Sequence, residues 1–181
     1  DPHYVTARPT SHAGLLLQWF GDRGRGISHL DYGGGHGLLS DLVRDSGWNS
    51  TSYDPFFDRS TTIADLGRHD LITAFEVFEH VPDVNRLVSE LDSLLKPEGL
   101  VIFSTVVSDG EISAGRPLSW WYAAPRNGHI SLYSRKSLEL LAAKFDLNFR
   151  SYAPGLHGFW HVLPRWTEST IFAAPSPSNA A

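Results

Sequence analysis

The chain has 181 residues, 41% of them hydrophobic and 19% charged, with a formal net charge of −5. That length suits one domain with a sizeable core, and the acidic balance offers no global basic surface to nucleic acid or an anionic membrane. The absence of cysteine excludes disulfides, thiolate metal sites and a thiol nucleophile, and no apolar stretch nears the ~20 residues that span a bilayer. No signal-peptide pattern opens the chain, so a cytoplasmic enzyme is expected; with no methionine anywhere, the chain is also expected to lack its native start.

Asp1 to Thr10 reads as a Pro-bounded, irregular segment. Ser11 is placed to cap a helix through Gly14–Phe20 that stops at Gly21, and Gly21–Gly26 reads as a flexible connection. A short apolar run then ends on Asp31, four glycines follow within five positions (Gly33, Gly34, Gly35, Gly37), and Leu38, Leu39, Leu42 and Val43 mark one face of a helix ending near Gly47. Ser50–Tyr53 predicts a second strand stopped by Asp54-Pro55, Thr61–Asp65 a brief third, and Asp70–Phe75 a fourth. Pro82 stands where a first helical residue should, ahead of Val84, Leu87, Val88, Leu91, Leu94 and Leu95 at helical spacing. Lys96-Pro97-Glu98-Gly99 reads as a turn, and Leu100–Val107 as a central strand buried on both faces. Ser108–Ile130 holds no period and contains Trp120-Trp121-Tyr122, which predicts a lid or substrate loop. Ser134 caps a last helix over Leu138–Phe145, and Leu147–Ala153 with Phe159–Leu163 predict a closing hairpin around Pro154-Gly155. Strand, helix and strand in repetition mean a parallel sheet with right-handed crossovers, here with an antiparallel close. The expected organisation is one α/β domain over residues 1–170, with a helical lead-in over 1–26 and a flexible tail over 171–181.

The glycine turn lies at the carboxyl end of a strand, where open α/β sheets bind small molecules. A dinucleotide fingerprint needs G-x-G-x-x-G, but its third glycine falls on Leu38 or Ser40 in the two available registers. A phosphate-binding P-loop fails as well, because no Lys-Ser/Thr pair follows the glycines. The pattern that fits is D-x-G-x-G-x-G, on Asp31, Gly33, Gly35 and Gly37.

Leu30–Gly37 resembles the first motif of class I S-adenosylmethionine-dependent methyltransferases. Phe75–Val81 resembles the family's E-V-x-E-H-V segment, and Leu94–Leu100 its L-L-K-P-G-G turn. The resemblance covers roughly Leu30 to Phe145 and lies with ubiquinone-type and sugar or secondary-metabolite O-methyltransferases. It implies a three-layer, Rossmann-like methyltransferase sheet and S-adenosyl-L-methionine as cofactor. Asp54 then matches the acidic residue for the ribose hydroxyls, a charge-assisted pairing. Asp31 would face the methionine ammonium, with Gly33, Gly35, Gly37, Phe75 and Glu76 against the cofactor and Asp65 beside the adenine. Only a short segment separates Asp54 from the fourth strand, so the helix usual there is missing, which leaves the Asp65 assignment open. Tyr4 and Arg8 are placed to fold over the cofactor, as N-terminal segments do in similar enzymes.

Glu76, Glu79 and His80 stand at i, i+3 and i+4, so one helical turn would set all three on one side. In similar enzymes such a segment joins a further histidine to bind a divalent metal such as Mg, and His129 is the candidate here. The chemistry would be that of a Lewis acid acting on a substrate hydroxyl. Without a metal, His80 or His129, with Glu79, would supply general-base catalysis. The alternative for Glu76 is cofactor contact, and for His80 a hydrogen bond at a helix start. His29 reads as a packed core histidine, and Trp120–Tyr122 as either a stacking wall or a buried anchor.

The expectation is a methyltransferase acting on a hydroxyl of a small polar acceptor, a sugar or metabolite. Its partner is a small-molecule substrate, with a homodimer left open and neither nucleic acid nor a membrane span expected. The alternatives are an RNA 2′-O-methyltransferase, disfavoured by the acidic balance, and a catalytically degenerate fold that only binds.

Overall fold

The computed structural model describes residues 3–173. Six strands form one sheet in the order β2-β1-β3-β4-β6-β5. They are β1 (Ser28–Tyr32), β2 (Asn49–Tyr53), β3 (His69–Ala74), β4 (Leu95–Phe103), β5 (Asn148–Ala153) and β6 (Leu156–Trp160). β1 to β4 pair in parallel, and β6 joins β4 and β5 antiparallel. The α/β sheet expected from the sequence is therefore present, closing hairpin included.

The helices are α1 (Arg8–Phe20), α2 (Leu38–Asp45), α3 (Val84–Leu94) and α4 (Arg135–Ala143). The period of two along β4 shows how they cover the sheet. Val101 and Phe103 pack with Leu87, Val88, Leu91, Leu138 and Leu141 on one face. Leu100 and Ile102 pack with Ala13, Leu16, Leu39 and Val43 on the other. Three layers result, with α1 and α2 opposite α3 and α4. The chain leaves β1 toward β2 and returns on the other side of β1 as β3, which makes the β1/β3 boundary the topological switch point where ligands of such sheets bind.

Several local expectations are corrected. Helix α1 starts at Arg8 rather than after Ser11, and a wider turn over His3–Ala7 precedes it. Pro9 falls in its first turn, where a missing N–H costs nothing, so the proline that reads as a break is part of a helix start. Gly21–Gly26 is a 3₁₀ run, with Gly24 so close to Trp48 that a Cβ would fall 1.8 Å from the indole. Thr61–Asp65 forms no strand. Asp65 accepts from the Thr62 hydroxyl at 2.6 Å and backbone N–H at 2.9 Å, a capping box that starts a single 3₁₀ turn over Ile63–Leu66.

Lys96–Gly99 lies within β4: Leu95 pairs with His69 and Leu100 with Leu71, so the four residues between bulge opposite Asp70. The strand stops at Phe103 rather than Val107, which makes only an isolated bridge to Tyr133. The second hairpin strand begins at Leu156, three residues earlier than expected, because the turn at Pro154-Gly155 is tight. The flexible tail does not begin at residue 171: Phe172 is fully buried, stacked on Phe20 at 5.4 Å and edge-on to Trp19 at 5.1 Å. Residues 174–181 lie outside those described. Among the described residues no helix is long and apolar enough to cross a membrane.

Candidate active site at the sheet switch point

The turn after β1 is held from below. Gly33 donates its N–H to the Tyr53 carbonyl at 2.7 Å, and Gly35 donates to Asp54 Oδ2 at 3.0 Å. Asp54 Oδ1 accepts from the Phe56 N–H at 2.8 Å, so this buried carboxylate ties the glycine turn to the segment after β2. Gly33, Gly35 and Gly37 have φ of 75°, 57° and 82°, the left-handed region where a side chain is strained. Gly34 is required for another reason: a Cβ there would stand 2.3 Å from Ser52 Oγ and 2.4 Å from Asp31 Oδ2.

Two cavities flank this turn and share Gly33, Glu76 and His80. One, of about 550 Å³, is lined among others by Arg8, His12, Asp31, Phe75, His80 and His129. The other, of about 730 Å³, lies toward α3 between Tyr53, Asp54, Ile63, Val77 and Arg86. Gly35, Asp31 and Phe75 thus fall on the first cavity and Asp54 on the second, with Glu76 on both. Gly37 is the residue from which α2 starts. Asp65 lines neither cavity: it is exposed, and the hydrogen bonds from Thr62 hold its carboxyl below the usual range. The cofactor role expected of Asp65 therefore has no geometric support.

Asp31 is 3% exposed, and burial pushes its carboxyl up to about 7; the hydrogen bond from Thr73 pulls the other way and nearby Asp54 adds to the rise. Glu76 follows β3 with a positive φ of 56°, a strained conformation for a residue with a Cβ. Its N–H donates to Ser104 Oγ at 2.7 Å, and its Oε1 accepts from that hydroxyl at 3.1 Å. Arg8, from the start of α1, forms an ion pair with Glu76 across the first cavity. The side chain of Tyr4 lies outside those described. Sequence reasoning missed His12, which lines the same cavity with its ring 4.3 Å from that of Phe75. Its spacing four residues after Arg8, one helical turn on, was the available signal.

Glu76, Glu79 and His80 do not share one helical turn, because the 3₁₀ turn spans only Phe78–His80. What comes together is Glu79, His80 and His129, with one ligand atom of each within 4.8 Å of the others; Glu76 is not part of this group. Glu79 is fully buried, and neither carboxylate oxygen has a hydrogen-bond partner. Burial raises its pKa. The pKa of the nearby Tyr122 hydroxyl is raised by its own burial first and by the charge of Glu79 second.

Both histidines have defined tautomers. His80 Nδ1 lies 3.0 Å from the Gly128 carbonyl and His129 Nδ1 lies 2.8 Å from the Tyr122 carbonyl, so each Nδ1 carries the proton and donates it. In the neutral ring each Nε2 then keeps its lone pair, the form that binds a metal or takes a proton. The loop bearing His129 is pinned to the same turn: Ile130 and Ser131 donate their N–H groups to the Glu79 carbonyl at 2.9 and 3.1 Å. Trp120 and Tyr122 are buried anchors of that loop, whereas Trp121 is exposed.

A doubly covered, mainly parallel sheet with a glycine turn at its switch point and an acidic residue ending each of the first two strands defines a class I methyltransferase domain. The comparisons agree. The family model described as a methyltransferase domain matches residues 4–152, and the chain belongs to that family. A ubiquinone biosynthesis O-methyltransferase of Bordetella avium is 31% identical over 121 residues, 51% of this chain and 49% of that protein. The chain thus spans about half the length of this curated relative. Among solved structures, the pyocyanin biosynthetic protein PhzM shares 13% identity at a TM-score of 0.56, over 81% of this chain and 52% of its own. The O-methyltransferase NcsB1 of neocarzinostatin biosynthesis, solved with S-adenosyl-L-homocysteine and 1,4-dihydroxy-2-naphthoic acid, shares 16% at 0.53, over 90% and 59%. At these identities the two structures speak for the fold.

Proposed function

We propose that the protein transfers the methyl group of S-adenosyl-L-methionine to a hydroxyl of a small polar acceptor. The observation that carries this reading is the division of space at the switch point: Asp54 faces one cavity, Asp31 and His129 line the other, His80 borders both with Glu79 buried behind it, and the glycine turn lies between them. Gly35, with its positive φ and open space on the wall of the first cavity, suits a turn that meets a ligand closely. Asp54 would hold the ribose hydroxyls, Asp31 the methionyl ammonium and Arg8 its carboxylate. The bound cofactor supplies an electrophilic methyl group for in-line displacement.

The remaining work belongs to the chain. The two cavities fix the approach of the acceptor hydroxyl, and positioning is the larger part of the catalysis. His80 and His129 each present an unprotonated Nε2 able to take the hydroxyl proton as it leaves. Glu79, buried beside them, stabilises the imidazolium that forms. In place of that base role, the orphaned Glu79 oxygens fit a divalent cation such as Mg²⁺, which Glu79, His80 and His129 would hold and which would lower the pKa of the acceptor hydroxyl.

Calorimetric titration with S-adenosyl-L-methionine and with NAD tests the cofactor: micromolar binding of NAD and none of the methyl donor refutes the reading. Mass spectrometry of a panel of hydroxylated sugars and metabolites, incubated with enzyme and cofactor, then identifies the acceptor by a gain of one methyl group. A mass gain confined to amines would refute O-methylation.

A further inference from the structure

A chain of buried polar groups runs beneath the glycine turn, from α2 through β2, β1 and β3 to the first cavity. Ser40 Oγ lies 2.7 Å from Ser50 Oγ, and Ser50 Oγ lies 2.8 Å from His29 Nδ1. His29 Nε2 lies 3.0 Å from Thr73 Oγ1, which donates to Asp31 Oδ1 at 2.8 Å. Each of the five residues is at most 3% exposed.

The proton order follows from the inventory of donors and acceptors. With Asp31 ionised, Thr73 spends its only proton on that carboxylate, so toward His29 it can only accept, and His29 must carry its proton on Nε2. Nδ1 is then an acceptor, so Ser50 donates to it and Ser40 donates to Ser50. Every hydroxyl and N–H in the chain points toward Asp31. Such aligned donors polarise one another, and the last bond, to a carboxylate, is the strongest of the set. The other carboxylate oxygen, Oδ2, lies under Gly34 at the wall of the first cavity.

We propose that His29 is a positioning residue for the methyl donor: through Thr73 it anchors the inner oxygen of Asp31 and so aims the charged outer oxygen at the donor's ammonium. The proposal rests on the assignment of Asp31 made above. A core histidine with no such duty is better replaced by an apolar side chain, because burying an imidazole without benefit costs stability. Here both ring nitrogens are satisfied, the edge of Trp48 closes the site at 5.9 Å, and burial keeps the ring neutral with a pKa near 3. A neutral His29 has one proton, which the geometry places on Nε2. The charged or titratable groups felt within the network are Asp54, which opposes ionisation of Asp31, and His69, which opposes protonation of His29. Arg8, His12, Glu76 and His80 line the cavity that Asp31 borders.

The test has two arms. Nitrogen-15 NMR of the ligand-free wild type at about pH 9, where Asp31 is ionised, reads the His29 tautomer directly; a proton on Nε2 supports the network, and a proton on Nδ1 overturns it. Calorimetry with S-adenosyl-L-homocysteine, from about pH 6 to about pH 9, reads the consequence. Thr73→Val should move the midpoint of the binding profile up by about one pH unit, a tenfold weakening on the acid side. Thr73→Ser should keep the wild-type midpoint. His29→Phe should shift it in the same direction as Thr73→Val, and His29→Gln, which can donate to Thr73 and accept from Ser50, should restore it. The ligand's own ammonium titrates identically in every variant and cancels from the differences. A His29→Phe profile that superimposes on the wild type, while Asp31→Asn weakens binding, overturns the role of His29 alone. An Asp31→Asn variant that binds like the wild type overturns the underlying assignment, and the proposal falls with it.

Discussion

Arg8 and Glu76 stand 68 residues apart in sequence, yet their side chains form an ion pair across the first cavity. One comes from the first turn of α1 and the other from the strained residue that follows β3, so the N-terminal helix is fastened to the switch point by this pair. A donor carboxylate arriving in the cavity would compete with Glu76 for the same guanidinium. Arg8→Ala should therefore weaken S-adenosyl-L-homocysteine binding by about three- to tenfold. The effect is modest because both side chains are roughly one-third exposed. The loss should shrink at high salt, where such a charge is screened. Calorimetry at two ionic strengths checks this, and an unchanged dissociation constant would show that Arg8 serves α1 only.

The Glu79–His80–His129 group supports a metal prediction. Titration of the wild type with Mn²⁺ or Mg²⁺ should show one site, with affinity rising as pH rises, because burial raises the Glu79 pKa and the ion requires the carboxylate form. Glu79→Gln and His129→Ala should each lower that affinity by at least about tenfold. Metal content equal to the wild type in both variants rejects the site and leaves the histidines as bases alone.

How much of this was legible beforehand depends on the range of the interaction concerned. The sheet, the glycine turn and Asp54 are coded by short patterns: an apolar run, a glycine spacing, a proline after a strand. The capping box between Thr62 and Asp65 was equally local, but a β-branched run reads as a strand until the reach of Asp65 to its neighbour's backbone is known. The spacing of Glu76, Glu79 and His80 predicts one helical turn, whereas the chain takes a short 3₁₀ turn over Phe78–His80 and leaves Glu76 outside the metal-like cluster. The partner of Arg8 and the burial of Phe172 depend on tertiary contacts with no sequence period to announce them. The same holds for His29, whose proton order emerges only when Ser40, Ser50, Thr73 and Asp31 are brought together by three adjacent strands and a helix.

Asp54 has a structural duty besides the one proposed for the ribose. Asp54→Ala would orphan the N–H groups of Gly35 and Phe56, at a cost of roughly 1–3 kcal/mol. In a domain of this size that lowers the melting temperature by about 3–10 °C, and it should weaken cofactor binding as well. Asp54→Asn keeps one acceptor oxygen and should lose less stability. Melting curves with and without S-adenosyl-L-homocysteine separate the effects: equal ligand-induced shifts in wild type and Asp54→Ala would refute the ribose role.

Phe172 closes the face of the sheet covered by α1, against Phe20, Trp19 and Tyr152. Phe172→Ala should destabilise the fold by about 3–5 kcal/mol, the usual range for a buried aromatic truncated to alanine. Urea unfolding is the direct measurement. A loss below about 1 kcal/mol would mean that the segment after Thr170 contributes little to the core in solution.

His29 and Asp31 should give the protein an acid stability profile that a single substitution exposes. The folded-state pKa of His29 is depressed from 6.5 to about 3, so its contribution is complete above pH 6.5 and lost as pH falls through that window. That of Asp31 is raised from 3.8 to about 7, so its penalty is absent below pH 3.8 and grows as pH rises toward 7. Between pH 3.8 and 6.5 the unfolded chain carries one proton on this pair, on the histidine, and the folded chain also carries one, on the carboxyl. The two slopes cancel. Asp31→Asn removes the second and leaves the first. Its unfolding free energy should then fall by up to about 1.4 kcal/mol per pH unit on acidification below pH 6.5, relative to the wild type at each pH. Urea unfolding of both proteins between about pH 5 and about pH 8 measures the difference. Parallel curves for the two proteins would mean that His29 and Asp31 do not share this proton balance.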